Sequence, residues 1–263
     1  MFHNLAQLLR YRALIQSLVA RELKARYRGS FLGFFWSFIN PLTLLLIYTF
    51  VFKYVLPAAP LGTDPYPLFM FCGLLPWTWF ASSLTESSGV LISGGNLIKK
   101  VLFPAEILPI VTVTANMIHF FLALPILVFF LVWFKAPLTA GELLCFPLVV
   151  LVQFLFTLGC ALLLSALTVH FRDIRDILSN VLTLWFFATP IIYSYKYAPE
   201  LARRFMNFNP FAHLAISYQE ILFFPGPFGH WKWLGALGVA SIAWFLMAYG
   251  VFDRLRDSFA EEV

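Results

Sequence analysis

The sequence predicts an all-α polytopic membrane protein with six transmembrane helices. Of its 263 residues, 61% are hydrophobic and only 12% are charged, and the mean hydropathy is +0.83. These values exclude a water-soluble globule. The chain also contains six apolar runs, each long enough to cross about 30 Å of hydrocarbon as a helix of roughly 20 residues. Lys and Arg residues cluster at the ends of these runs, as they do in membrane proteins.

The first segment, residues 1–30, predicts an amphipathic helix in the headgroup plane. Arginines interrupt any continuous apolar core, so the segment is not a signal peptide. At about 100° per residue, Val19 and Leu23 fall on one side of the helix, whereas Arg21 and Lys24 fall on the other. We therefore expect a cytoplasmic interface helix ahead of the transmembrane domain.

The transmembrane domain covers residues 31–263. Its predicted spans are 31–54, 68–92, 107–134, 143–170, 177–195 and 233–252. An even number of spans places both termini on one side, and that side holds twelve of the 18 Lys and Arg residues. The positive-inside rule therefore predicts cytoplasmic termini in the cell inner membrane.

The segment at about 197–230 does not fit a simple span. Its apolar run, 211–224, is too short to cross the membrane and contains Glu220. We expect an outward-facing re-entrant helical hairpin, which is possible only if protein or water shields its broken backbone.

The fifth span carries a polar and aromatic stripe. Relative to Asp176, its members fall within about 60° on the helical wheel. They are Ser179, Asn180, Thr183, Phe187, Pro190 and Ser194. Small hydroxyl residues can allow close helix packing, or they can line a water-filled path for a polar solute.

The first span has a looser version of the same stripe. Aromatic side chains near both stripes suit sugars, because their rings stack on the apolar faces of pyranoses. Lipid contact or packing explains any single aromatic residue as well. The predicted channel-lining residues are Trp36, Ser37, Asn40, Tyr48, Ser179, Asn180, Thr183, Phe187 and Tyr193.

Ionisable residues at membrane depth are few. Glu86 and His119 are the main examples, and this scarcity disfavours transport driven by protons or sodium. His119 alone is also explained as a hydrogen-bonded packing residue. No phosphate-binding loop, catalytic motif or metal-ligand cluster occurs, so we expect no cofactor in this chain. If transport uses ATP, a partner subunit must bind the ATP and Mg.

Two short loops on the predicted inner side are candidates for contact with such an ATPase. One covers residues 93–104 and the other residues 170–176. In the second, the residues assigned to ATPase coupling are Arg172, Asp173 and Arg175. Ordinary membrane-flanking charge is the competing explanation.

Cations at the predicted inner interface are candidates for loading a phosphate-bearing substrate. They are Arg26, Arg28, Lys99 and Lys100. Attraction to anionic lipid explains them equally well, and it explains the net charge of +5 better than nucleic-acid binding does.

The order of these parts resembles a known family. The segment 21–30 (RELKARYRGS) is followed by Trp36 and the pair Asn40-Pro41, then by 171–174 (FRDI), 189–191 (TPI) and 209–210 (NP). This order resembles the membrane subunit of type-2 ABC exporters, in the branch that exports O-antigen, capsule or teichoic acid. The opening segment is the more specific part, and the likeness covers nearly the whole chain.

The resemblance implies a homodimer of six-helix permeases, each bound to a separate cytoplasmic ATP-binding subunit. It also implies a glycan substrate carried on a polyprenyl pyrophosphate lipid, and a channel lined by the first and fifth helices. Two alternatives stay open: a type-2 exporter of lipids or drugs, and a membrane-embedded glycan-modifying acyltransferase that uses His119 or Glu86.

Overall fold

A computed structural model describes residues 11–26, 28–55, 63–100, 103–136 and 140–262, and within these ranges it contains helices and turns but no β-strand. The prediction of an all-α protein is therefore confirmed. In chain order the helices are α1 (Arg12–Arg26), α2 (Trp36–Phe50), α3 (Tyr66–Ser93), α4 (Gly95–Lys100), α5 (Ile107–Trp133), α6 (Ala140–Leu143), α7 (Phe146–His170), α8 (Ile174–Phe187), α9 (Glu200–Met206), α10 (Pro210–Leu222), α11 (Trp231–Leu255) and α12 (Phe259–Glu262).

Five helical segments of the described chain are long and apolar enough to cross a bilayer. They agree with the predicted first, second, third, fourth and sixth spans. Their bounds are Gly33–Phe50, Tyr66–Ser93, Ile107–Trp133, Gly141–His170 and Trp231–Ser258. The chain is thus a multi-pass membrane protein, and the count of six spans stays a prediction.

Helix α3 lies at the centre of the molecule. It packs against α5, α7, α10, α8 and α2, and most of its side chains are buried. Trp77 and Phe80 of α3 meet Phe211 of α10 with ring centroids 4.9 and 4.8 Å apart. Gln153 of α7 donates a hydrogen bond to the carbonyl of Pro76 at 2.8 Å. This helix therefore joins the first half of the chain to α10 and α8.

The predicted fifth span, 177–195, is wrong as a continuous helix. Helix α8 ends at Phe187, and the chain then turns, with the N–H of Thr189 donating to Phe186 and that of Ile191 donating to Thr189. Pro190 has no N–H to continue the helix, and it disfavours helical backbone at the residue before it. Pro190 and Ser194 consequently do not share a helical face with Asp176.

The segment after this turn forms two short helices, α9 and α10. Nearly all of α10 is buried, and it contacts α3, α11 and α7. Helix α10 begins where Asn209 accepts hydrogen bonds from the N–H groups of Phe211 and Ala212, with Pro210 in the first turn. The segment 197–230 therefore contains helices, and the outward-facing re-entrant hairpin predicted there stays a prediction.

Helix α1 packs along α5 through Leu18 and Val19, which bury against Val111 and neighbouring residues. It lies within the predicted interface helix, of which residues 1–10 and 27 are outside the described chain. The end of the molecule that carries α4 also holds loop 170–176 and α12.

Candidate functional site

Helix α8 presents three different faces. Its buried face consists of Leu178 and Leu182, with Trp185 half-buried on the same side. The predicted polar stripe, Ser179, Asn180, Thr183 and Phe187, is exposed and lies about 140° around the helix from that face. Ile177, Val181 and Leu184 form a third, exposed apolar face. The stripe therefore points out of the subunit, away from its core.

The stripe hydroxyls and amide bond to their own helix. Ser179 Oγ donates to the carbonyl of Asp176 at 2.9 Å, and Thr183 Oγ1 donates to that of Ser179 at 2.9 Å. Asn180 Nδ2 donates to Asp176 at 3.2 Å. Because these donors are used locally, the exposed side-chain oxygens remain as acceptors. A row of acceptors suits a solute that is rich in hydroxyl groups.

The turn that follows α8 is closed by side chains from other helices. Asn209 Nδ2 donates to the carbonyl of Ala188 at 3.2 Å, Gln219 Nε2 to that of Pro190 at 2.8 Å, and the Tyr66 hydroxyl to that of Ile192 at 2.7 Å. Carbonyls freed by the end of the helix thus have partners inside protein, as broken backbone at membrane depth requires.

Sequence reasoning did not identify these three residues as parts of the site. Asn209 carries a usable signal, because Asn-Pro ahead of an apolar run is typical of a helix N-terminus. Gln219 lies within an apolar run and Tyr66 lies just ahead of one, and nothing in their local sequence indicates which carbonyl each one reaches. Tyr193, predicted to line the channel, lies beyond α8, and its hydroxyl donates to the carbonyl of Phe187 at 2.8 Å.

The first predicted stripe borders a cavity inside the subunit. The cavity has a volume of about 500 Å³ and lies between α2, α3 and α5. Trp36, Ser37 and Asn40 line it from α2, whereas Tyr48 is not among its lining residues and packs half-buried against the main core. Ser37 Oγ lies 3.3 Å from His119 Nδ1 across the cavity wall. In this structure the α2 stripe therefore faces α3 and α5.

Arg26 reaches this cavity from the end of α1. Its Nη2 donates to Glu86 Oε2 at 2.7 Å, and its Nη1 donates to Asn116 Oδ1 at 3.1 Å. Asn116 Nδ2 also donates to the same Glu86 oxygen at 2.7 Å. Of the other predicted loading residues, Arg28 and Lys99 are exposed, and the Lys100 side chain is outside the described part of the chain.

Loop 170–176 exposes Arg172 and Asp173 at the end of the molecule that carries α4. Arg175 is also exposed, but its guanidinium lies directly over Gly89 of α3. A Cβ at position 89 would be only 2.8 Å from Arg175 Nη2. Arg172 and Asp173 are therefore accessible to a partner, while Arg175 connects the start of α8 to α3.

The chain matches known proteins over its whole length. The family model described as ABC-2 type transporter matches residues 13–223. The chain is 41% identical, over the full length of both proteins, to the O-antigen export system permease protein RfbA of Myxococcus xanthus.

More distant relatives agree with this match. The chain is 32% identical to the O-antigen export system permease protein RfbA of Klebsiella pneumoniae over 94% of each protein. It is 24% identical to the polysialic acid transport protein KpsM of Escherichia coli, over 78% of this chain and 80% of that protein. The match to most of the chain, together with the full-length identity, shows that this protein belongs to the ABC-2 type transporter family.

Proposed function

We propose that this chain is the permease of an ABC exporter that carries a polysaccharide across the inner membrane, with both of its termini in the cytoplasm. The names of its relatives support this substrate class, since they export O-antigen or transport polysialic acid. The structural observation that carries the proposal is the exposed polar stripe of α8. A row of oxygen acceptors beside exposed Phe187 matches a chain of sugars, which offers hydroxyl groups and apolar ring faces.

The polar stripe also supports a homodimer. Exposed Ser, Asn and Thr side chains on a membrane helix are costly against lipid, so another chain or water must cover them. Two subunits that face each other through α8 would enclose a polar path between them. The predicted contribution of the first span to the wall does not follow from this structure, because Trp36 and Asn40 face the cavity inside the subunit and Tyr48 packs against the core.

ATP hydrolysis belongs to separate subunits in this proposal, two copies for each pair of permeases. The sequence contains no phosphate-binding loop of its own. The docking surface is the end of the molecule that carries α4, where Arg172 and Asp173 are exposed.

The substrate in this proposal is a glycan on a polyprenyl pyrophosphate lipid. Guanidinium and ammonium groups bind phosphate oxygens through charge-assisted hydrogen bonds. Arg26, Arg28, Lys99 and Lys100 are the candidates for this contact, and Arg26 is the one that also borders the cavity.

Reconstitution in proteoliposomes tests the proposed function. The permease is studied alone, with its ATP-binding subunit, and with an ATP-binding subunit whose phosphate-binding Lys is replaced by Ala. We expect movement of lipid-linked glycan only with the complete, active complex. Transport by the permease alone, or ATP-driven transport of drugs but not of glycan, would contradict the proposal.

A further inference from the structure

The cavity between α2, α3 and α5 combines polar and aromatic walls in a way that an acyl chain does not require. Its volume of about 500 Å³ is within the usual range for small-molecule sites, roughly 300 to 1,000 Å³. Polar side chains line it from all three helices, and aromatic rings together with aliphatic side chains such as Leu44, Leu74 and Leu75 form the rest of its wall. The polar group consists of Ser37, Asn40, Thr78, Ser82, Asn116 and His119, and the aromatic group of Trp36, Phe71, Trp79 and Phe120.

Several of these groups are held in place, whereas others are available. Trp79 is buried, donates to the carbonyl of Val113 at 3.3 Å and stacks on Phe120 at 5.3 Å. Trp36 is fixed by a hydrogen bond from its Nε1 to Ser30 Oγ at 3.0 Å, and 38% of its surface is exposed. Asn40 is exposed on the cavity wall. A positioned indole ring beside amide and hydroxyl groups is typical of a site for a pyranose ring.

The mouth of the cavity contains a guanidinium that already holds an anion. Arg26 lines the cavity and binds the Glu86 carboxylate at 2.7 Å, while Glu86 itself is not among the lining residues. Both side chains are partly exposed, by 27% for Arg26 and 38% for Glu86. A carboxylate and a phosphate occupy the same fork of a guanidinium, so they compete for it.

We propose that this cavity binds a sugar joined to a phosphate, with the phosphate replacing the Glu86 carboxylate on Arg26 and the ring stacking on Trp36. The proposal rests on the proposed function for the source of such a group, the head of the lipid-linked glycan. In this structure Glu86 holds Arg26 in position, and in the proposal it acts as an internal competitor of the substrate. Asn116, which bonds to both side chains, keeps the carboxylate close after exchange.

Equilibrium binding to the purified permease–ATPase complex in zwitterionic nanodiscs tests this. The probes are a short-chain polyprenyl pyrophosphate that carries one pyranose, the same lipid pyrophosphate without sugar, and inorganic pyrophosphate. Glu86→Gln removes the competing charge, and we expect it to tighten binding of the sugar-bearing probe by about tenfold, the scale of one hydrogen bond to a charged group. Arg26→Lys should weaken it. Glu200→Gln, which removes the carboxylate of the exposed Glu200–Arg204 pair, should leave it unchanged.

Variants of Trp36 test the sugar contact separately. Trp36→Ala should reduce affinity for the sugar-bearing probe to that of the sugar-free lipid, whereas Trp36→Phe should retain most of the difference. Weaker binding by Glu86→Gln, with unchanged thermal unfolding of the complex, would overturn the exchange at Arg26. Equal binding of all three probes would overturn the sugar site. If the natural complex shows these binding effects but does not transport lipid-linked glycan, the proposed function is refuted and the cavity assignment stands.

Discussion

At the scale of single residues, Asn209 holds the most demanding position in the structure. Its Oδ1 accepts from Trp185 Nε1 at 2.7 Å and also from the backbone at the start of α10. Its Nδ2 donates to the carbonyl of Ala188 and to Thr189 Oγ1. One amide thus joins the end of α8 to the beginning of α10.

Replacing Asn209 should therefore destabilise the protein strongly. We expect Asn209→Ala to cost about 2 to 3 kcal/mol, because it leaves several buried groups without partners. Thermal unfolding in detergent measures the effect. Asn207→Ala, which removes the exposed acceptor of the Tyr195 hydroxyl, is the matched control and should cost far less. Equal losses for the two variants would show that the Asn209 contacts contribute little.

A pair of histidines gives a prediction on pH. His213 Nδ1 and His230 Nε2 are 2.9 Å apart, and burial, together with the neighbouring His213, lowers the pKa of His230 to about 4. Because the pKa of His230 is lower in the folded protein than in the unfolded chain, protonation favours unfolding. The contribution of neutral His230 to stability is complete above about pH 6.5 and is lost as the pH falls towards 4. Glu220, which accepts from the N–H of His230, is retained in the test variant.

His230→Gln should therefore lose less thermal stability than the natural protein between pH 7 and pH 4.5. Unfolding temperatures of both proteins across that range measure the difference. If the unfolding temperatures of the two proteins fell in parallel with pH, His230 would not be the cause of the loss. The sequence alone predicted none of this, because the two histidines are brought together by the chain reversal between α10 and α11.

At the scale of helices, the apolar runs predicted the location of the long helices well, and the failure at α8 has a clear cause. Runs such as 107–134 fold as continuous helices because their amide groups bond internally, even with Pro125 inside α5. The run 177–195 is also predominantly apolar, but its helix stops at Phe187, and Asn209, Gln219 and Tyr66 bind the backbone carbonyls beyond it. Those partners are distant in sequence, so hydropathy does not contain the signal. The helical wheel correctly predicted a shared exposed face up to Phe187, and it was wrong for Pro190 and Ser194, which lie beyond the end of the helix.

The exposed stripe of α8 makes a prediction that belongs to this helix. In a background without the three native cysteines, single cysteines along α8 should react with a small membrane-impermeant reagent during ATP turnover. Reactivity should peak at Ser179, Thr183 and Phe187 and be low at Leu178 and Trp185. Thr183→Trp should then block export by bulk while the complex still assembles. Preferred labelling at Ile177, Val181 and Leu184 instead would show that the apolar face lines the path.

At the scale of the whole molecule, the end that carries α4 has exposed charged residues, and polar contacts there connect parts of the chain that are distant in sequence. Arg256 lies 3.6 Å from buried Glu106, and His170 Nε2 lies 3.3 Å from Ser258 Oγ, so the end of the chain is attached to the loop before α5 and to α7. These contacts connect distant parts of the chain at the surface proposed for docking of the ATP-binding subunit.

Charge reversal tests that surface as the docking site. Arg172→Glu should reduce the amount of ATP-binding subunit that co-purifies with the permease, because it places a carboxylate where the proposed contact needs a cation. Lys196→Glu makes the same change in charge at the opposite end of the molecule and should have no effect. Equal recovery of the ATPase with both variants would show that Arg172 only flanks the membrane.

The contacts at the two ends of α8 limit how an export path can open. The Arg175 guanidinium, in the first turn of α8, lies against Gly89 of α3, and Asn209 and Gln219 donate hydrogen bonds to the backbone that follows the last turn. Rotation of α8 about its own axis would break the hydrogen bonds after its last turn and move Arg175 away from Gly89. If two subunits enclose the path as proposed, the path would then widen by movement of whole subunits and not by rotation of α8.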